Sequence, residues 1–229
     1  MPIITISRGT LSGGRAVAEC LAARLGCRCL AREILVQAAA SVGAPEEAVR
    51  EGLQVPPALG VLGRPQRRRY LDAAQAALAE ACLEGDLVYH GLAGQLLLRG
   101  VPGVLRVRLI APLELRVRSL VKAHHRMSAR AAERFIRRAD RQRQQWVRSM
   151  YGVDVCDVAL YDLSLNLAAL SLETACVAIA ELVPHPEYQV SERTRAELTR
   201  LAAEARRRLA AETPYAPRAQ GASSGPREK

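Results

Sequence analysis

The segment IITISRGTLSGGRA, residues 3–16, decides the fold. Ile3 to Ser7 form an apolar and β-branched run, the pattern of a strand covered on both faces. A turn holding Gly9, Gly13 and Gly14 follows. Then Val17, Leu21 and Leu25 recur at helical spacing, and Gly26 makes a C-terminal stop. A strand, a glycine-rich turn and a helix are the layout of a phosphate-binding loop. Backbone N–H groups wrap the phosphates there, and the helix adds its positive N-terminal end. Gly9, Gly14 and Arg15 fit G-x-x-x-x-G followed by a cation. Arg15 stands where lysine is usual, and Ala16 where a magnesium-binding hydroxyl is usual. Arginine can grip phosphate through two parallel hydrogen bonds. Alanine binds no metal, and the hydroxyls of Thr10 and Ser12 stand at other places in the loop. The plain alternative is a tight structural turn.

The rest of the chain supports a packed α/β domain. Its 229 residues are 49% hydrophobic but only 3% aromatic, so the core must be built from Leu, Val, Ala and Ile. No apolar run approaches the roughly 20 residues that span a bilayer. The start lacks the basic-then-apolar layout of a secretion signal, so a cytoplasmic location without membrane attachment is expected. None of the six cysteines forms a C-x-x-C pair or has zinc spacing with histidine. They read as small buried hydrophobes in a reducing compartment, and no metal site is expected among them. The net charge is +10, carried mostly by arginine and concentrated in residues 99–148, which favours polyanionic partners.

Strand patterns at 27–30, 86–91, 103–111 and 158–168 alternate with helical ones. The helices fall at 31–43, 66–85, 112–125, 128–152 and 171–183, with Pro112 at a first helical position and caps at Ser128 and Ser171. Residues 44–65 hold much of the Pro and Gly and read as short helical pieces and loops. This alternation predicts a three-layer α/β/α fold with a parallel sheet of about five strands. Beyond Pro184 one more amphipathic helix is expected up to residue 211, packed on its own domain or dimerising. The Pro/Gly/Ser-rich residues 212–229 read as a disordered tail.

The chain resembles the cytidylate kinase-like proteins, a bacterial branch of the P-loop nucleoside monophosphate kinases. The resemblance rests on Ser7-Arg8 with Ser12-Gly13-Gly14-Arg15, and on LAREIL, VYHGLAG, VLRVRLIAPLELRV, ADRQRQQWVRSMYG and YDLSLNLAALSLETA. It covers about residues 1–183, and arginine in place of the loop lysine is a feature of the branch. It implies ATP- and Mg²⁺-dependent phosphoryl transfer to a monophosphate such as CMP. On that basis Gly9, Thr10, Ser12, Gly13, Gly14 and Arg15 would cradle the donor phosphates. Arg15, Arg138, Arg141 and Arg143, with Arg137, would neutralise charge on the transferring group. Asp140 would orient its arginine neighbours. Arg32, Glu33, His90 and Gly91 would face the acceptor, with Tyr161, Asp162 and Asn166 in support. Three departures stand out. Ala31 replaces an aspartate, Leu92 replaces an acceptor-gripping arginine, and Leu11 stands where a glycine is common.

The residues themselves leave alternatives open. Arg134, Arg137, Arg138 and Arg141 share a helical face that suits a solvated surface, a lid closing over ATP, or nucleic acid. Only Phe135 and Trp146 interleave with these charges, which weakens a stacking platform. His90 suits a hydrogen-bonded core position or a ligand-facing one. His124 and His125 suit the surface or a lid, and Tyr161, Asp162 and Asn166 suit a structural role or contact with base or ribose. A nucleotide-binding sensor without transfer chemistry is the rival to a working kinase.

Overall fold

The computed structural model describes residues 2–31, 34 and 64–211. The expected helix at 31–43 (apart from Ala31 and Ile34), most of the Pro/Gly-rich stretch, Arg32, Glu33 and the tail lie outside the described residues.

Five parallel strands run in the order β2-β3-β1-β4-β5: β1 (Ile3–Arg8), β2 (Arg28–Leu30), β3 (Leu87–Tyr89), β4 (Val104–Ile110) and β5 (Leu163–Asn166). The strand that opens the chain is therefore central, with Ile3 in register with Leu87 on one side and Val104 on the other. The helices are α1 (Gly14–Leu25), α2 (Arg64–Leu83), α3 (Gly94–Leu97), α4 (Leu113–Ala123), α5 (Ala129–Tyr151), α6 (Leu172–Leu182) and α7 (Glu192–Ala211).

Successive strand residues point to opposite faces, so the sheet has two cores. Ile4, Ile6, Leu105, Val107 and Leu109 pack on one face against Val17 and Leu21 of α1 and Cys176 and Ile179 of α6. On the other face Ile3, Leu87, Tyr89 and Val104 pack with Leu78 of α2, Val147 of α5 and Leu198 of α7. Each fully buried Leu or Ile contributes about 1.5–3 kcal/mol. Toward the C-terminal ends of β1 and β4 this second face turns polar. There Ser7 pairs in register with Arg108, and both are buried.

The caps match the sequence. Ser128 Oγ accepts from the Ala131 amide at 3.2 Å and Ser171 Oγ from the Thr174 amide at 3.0 Å. Pro112 occupies the N-cap of α4, one position before the expected one, with an extended ψ of 149°. The last strand is shorter than its apolar pattern suggests. Val158–Leu160 form a 3₁₀ turn because Asp157 caps them, its carboxylate accepting from the Ala159 amide at 3.0 Å. Helix α3 was hidden in the sequence by its glycines.

The last helix docks on its own domain. Leu198, Ala202 and Ala205 are buried, and α7 packs lengthwise on α2. Ion pairs Arg206–Glu80 at 2.7 Å and Arg208–Asp72 at 2.6 Å flank the seam. Among the described residues no helix is long and apolar enough to cross a membrane.

Candidate functional site

The glycine-rich turn leaves the C-terminal end of the central strand, where open parallel sheets place their ligands. It is a tightly specified turn. Ser12 is buried, and its hydroxyl donates to the Gly9 carbonyl at 3.0 Å. Gly13 caps α1 with φ +80°, a conformation side chains resist. Gly9 and Gly14 leave room for arginines: a Cβ on Gly9 would lie 3.1 Å from Arg116 Nη1, and one on Gly14 would lie 2.1 Å from Arg8 Cδ. Leu11 also adopts a left-handed φ of 58°, which explains why glycine suits that position. The first-turn amides of α1 point out of the helix end without intrahelical acceptors, as at every helix start.

Asp140 of α5 ties this turn to the basic helices. Its Oδ1 accepts from the Thr10 amide at 2.9 Å, and its Oδ2 accepts from Arg116 of α4 at 2.5 Å. Arg143 donates to Thr10 Oγ1 at 3.2 Å and to the Arg8 carbonyl at 3.3 Å, and it lies 3.5 Å from Asp140. Burial pushes the Asp140 carboxyl up, but hydrogen bonds from Arg116 and the Thr10 amide outweigh that and hold it below its ordinary value. Two guanidinium groups thus sit beside a glycine-rich turn, locked by one carboxylate. Such a site attracts an anion of several charges.

The other expected residues are distributed as follows. The Arg15 side chain is 77% exposed and lies along α1, donating to Glu19 at 2.7 Å. Arg137 is exposed and pairs with Glu133 at 2.7 Å, while exposed Arg138 and Arg141 form no ion pair among the described residues. Asp140 therefore orients Arg116 and Arg143, not these three. His90 is buried just past β3, its amide donating to the Leu30 carbonyl at 2.9 Å. Gly91 lies in the turn over the Tyr89 ring, whose hydroxyl donates to the Leu92 carbonyl at 3.3 Å.

The residues of the late motif make hydrogen bonds within the fold. The Tyr161 hydroxyl meets Ser7 Oγ at 3.0 Å and the Val155 carbonyl at 2.8 Å, and accepts from Gln95 at 3.1 Å. Burial pushes its acidity down, so its pKa lies above the ordinary phenol value. Asp162 accepts from the Arg106 amide at 2.7 Å, and Asn166 from the Ala168 amide at 3.0 Å.

Sequence reading missed Arg116, Arg108 and the closeness of Arg8 to the loop. Arg116 had a detectable signal: with Leu113, Val117 and Leu120 it falls on the apolar stripe of α4, an odd place for a solvated cation. Arg108 is buried on β4 with Ser7 Oγ at 3.1 Å and the Tyr161 ring centroid at 5.3 Å.

A central strand, a glycine-rich turn and a helix in a parallel five-stranded α/β/α sandwich define the P-loop kinase fold. Residues 3–169 match the model of the cytidylate kinase-like family, and the chain belongs to that family. Among proteins with curated descriptions, none matches it in sequence. Among solved structures, it is similar to an uncharacterized protein from Eubacterium ventriosum, with TM-score 0.61 and 16% identity over 80% of this chain and 97% of that one. It is also similar to shikimate kinase from Acinetobacter baumannii in complex with shikimate, with TM-score 0.48 and 17% identity over 80% and 93% of the two chains. A gluconokinase from Sinorhizobium meliloti gives TM-score 0.44 and 17% identity over 89% and 94%. At 16% identity the likeness to the Eubacterium ventriosum protein shows the fold alone.

A nucleoside triphosphate suits the residues at the turn. Gly9 packs against Arg116 and Gly14 against Arg8, and Arg143 donates to Thr10 between them. The metal is a different matter. Both Asp140 oxygens are engaged by donors, Ser12 Oγ donates to a carbonyl, and Ala16 offers nothing. The side chains at the turn therefore do not form a magnesium site.

Proposed function

We propose that the chain is a nucleotide-dependent phosphotransferase that moves a phosphoryl group from ATP to a nucleoside monophosphate such as CMP, or to a similar small acceptor. The observation that carries this reading is the clamp at the turn: Arg116 and Arg143 held against Thr10 by Asp140. Phosphoryl transfer needs little covalent help from protein. It needs positioning and positive charge around the equatorial oxygens, and the held arginines of the clamp support that reading. Gly9 to Gly14 would hold the donor phosphates. Arg138 and Arg141, exposed on the same helix as Asp140, are available to fold over the donor, with His90 and Gly91 toward the acceptor. Magnesium, when bound with ATP, would offset charge on the phosphates.

The outward Arg15 favours a second reading, a nucleotide-binding sensor without transfer chemistry. One experiment separates the two. Purified protein is incubated with ATP, Mg²⁺ and a panel of monophosphates, and ADP and diphosphate product are measured. Turnover of one acceptor supports the kinase. No turnover with an ATP-dependent rise in melting temperature supports the sensor. Neither response removes both.

A further inference from the structure

We propose that Cys20 and Cys176 form a redox-active pair, a modification site at which hydrogen peroxide converts two thiols into a disulfide joining α1 to α6. Cys20 lies on α1 and Cys176 on α6, 156 positions apart in the chain. Both are free thiols, and their Sγ atoms stand 2.8 Å apart. A disulfide bond is about 2.05 Å long, so the sulfurs need to close by less than about 1 Å. The two helices pack side by side on the sheet, with Cys176 in one core with Val17 and Leu21 of α1. Cys176 is fully buried, whereas Cys20 is half-buried, with Glu173 Oε2 3.5 Å from its sulfur on the exposed side. Glu173 in turn accepts from Arg24 of α1 at 2.5 Å, so the seam that brings the sulfurs together is fastened from both helices. The pair sits behind the glycine-rich turn: α1 begins at Gly14, and Leu172 at the start of α6 lies against Gly13.

Burial gives each sulfur its own step. The Cys176 thiol, burial and Glu173 together push the Cys20 thiol up to about 12, so the pair rests as thiols at neutral pH and only a small thiolate fraction reacts. That Cys20 thiolate, the sulfur an oxidant can reach, attacks one oxygen of the peroxide. The S–O bond forms as the O–O bond breaks, which leaves a sulfenic acid on Cys20 and, after proton uptake, one water. Cys176 then attacks the Cys20 sulfur and expels hydroxide, which takes the Cys176 proton and leaves as a second water. Two thiols and one hydrogen peroxide thus give one disulfide and two waters. Cys176 is the resolving thiol: at 2.8 Å it intercepts the sulfenic acid before more peroxide carries it to the irreversible sulfinic acid.

Peptide mass spectrometry of the full chain tests this, after treatment with hydrogen peroxide at mildly alkaline pH and alkylation of the remaining thiols. The digest should hold the Cys20 peptide linked to the Cys176 peptide, lighter by two hydrogen atoms than the two thiol peptides together, and dithiothreitol should undo the link. The linked protein should melt at least about 5 °C above the reduced one, because the bond closes a loop across 156 positions. Cys20→Ser should abolish both the link and the rise. In Cys176→Ala the resolving thiol is gone, so dimedone should trap the Cys20 sulfenic acid there and not in the wild type. A treated wild type without the linked peptide, Cys20 overoxidised or linked to another cysteine in its place, a link with no rise in melting temperature, or no trapped Cys20 in Cys176→Ala overturns the inference. All of these readouts are independent of ATP at the turn.

Discussion

Asp140 accepts a hydrogen bond from the backbone amide of Thr10, 2.9 Å away and 130 positions earlier in the chain. This contact joins the first loop of the protein to its long basic helix. It fixes the turn and the arginines in one geometry before any ligand arrives. Preorganised charge of this kind would meet a bound anion without a reorganisation cost.

Replacing Asp140 by Asn keeps the shape but weakens the hold on Arg116 and Arg143. A loss of about 1–3 kcal/mol is expected, which is several degrees of melting temperature for a chain of this size. The pH dependence has a definite sign. The folded-state carboxyl titrates below its unfolded value, so its stabilisation is present above the unfolded pKa and is lost as pH falls through the folded one. The melting temperatures of wild type and Asp140→Asn should therefore converge in acid, below about pH 4. Parallel curves across that range would show that Asp140 carries no linked charge.

Arg143→Ala removes a guanidinium that touches Thr10 Oγ1 and the Arg8 carbonyl. Turnover in the acceptor assay should fall by about a thousandfold, with the ATP-induced melting shift strongly reduced. Arg15→Ala is the informative companion. Its ion pair with Glu19 is exposed, so stability should change by less than about 0.5 kcal/mol. Loss of the ATP shift in Arg15→Ala would mean that the side chain swings to the phosphates on binding. Retention would leave phosphate contact to the clamp.

The turn itself invites a paired substitution. Gly13→Ala forces a side chain into φ +80° and brings its Cβ to 2.9 Å from Leu172 Cδ2, so unfolding stability should drop by at least about 1 kcal/mol. Leu11→Gly relieves the left-handed φ of 58° while adding freedom to the unfolded chain, so it should be close to neutral. Urea unfolding of both variants measures the contrast, and an equal loss in the two would contradict the described loop.

Leu198→Ala empties a fully buried site beneath α7 and should cost about 2–5 kcal/mol in urea unfolding. A value near zero would mean that α7 leaves the domain in solution. Arg206→Ala, at an ion pair more than one-third exposed on both sides, should cost less than about 1 kcal/mol.

Much of the fold was legible because its signals are local. The β-branched run 3–7, the glycine turn, the helical spacing after it and the caps at Ser128 and Ser171 depend on near neighbours in the chain. The alternation of strands and helices then specified a parallel sheet, and the loop motif together with the later segments pointed to the family. The sequence misled where one near neighbour outweighed a pattern. Asp157 turned the start of the last apolar run into a 3₁₀ turn, and Gly91 and Gly94 masked α3.

The candidate site was less legible, because a charged side chain can reach several partners and only packing selects one. From sequence, every arginine near Asp140 was equally available to it. The tertiary structure chose Arg116, 24 positions away on another helix, and Arg143, one turn on, and left Arg137, Arg138 and Arg141 outside. It likewise set Tyr161 among Ser7, Val155 and Gln95, and laid α7 on α2 where an amphipathic stripe alone allowed either docking or dimerisation. Hydrophobic period and turn chemistry act over a few residues, and the chain carries them openly. Burial and the pairing of charges act across space, and they exist only once the sheet has brought distant segments together.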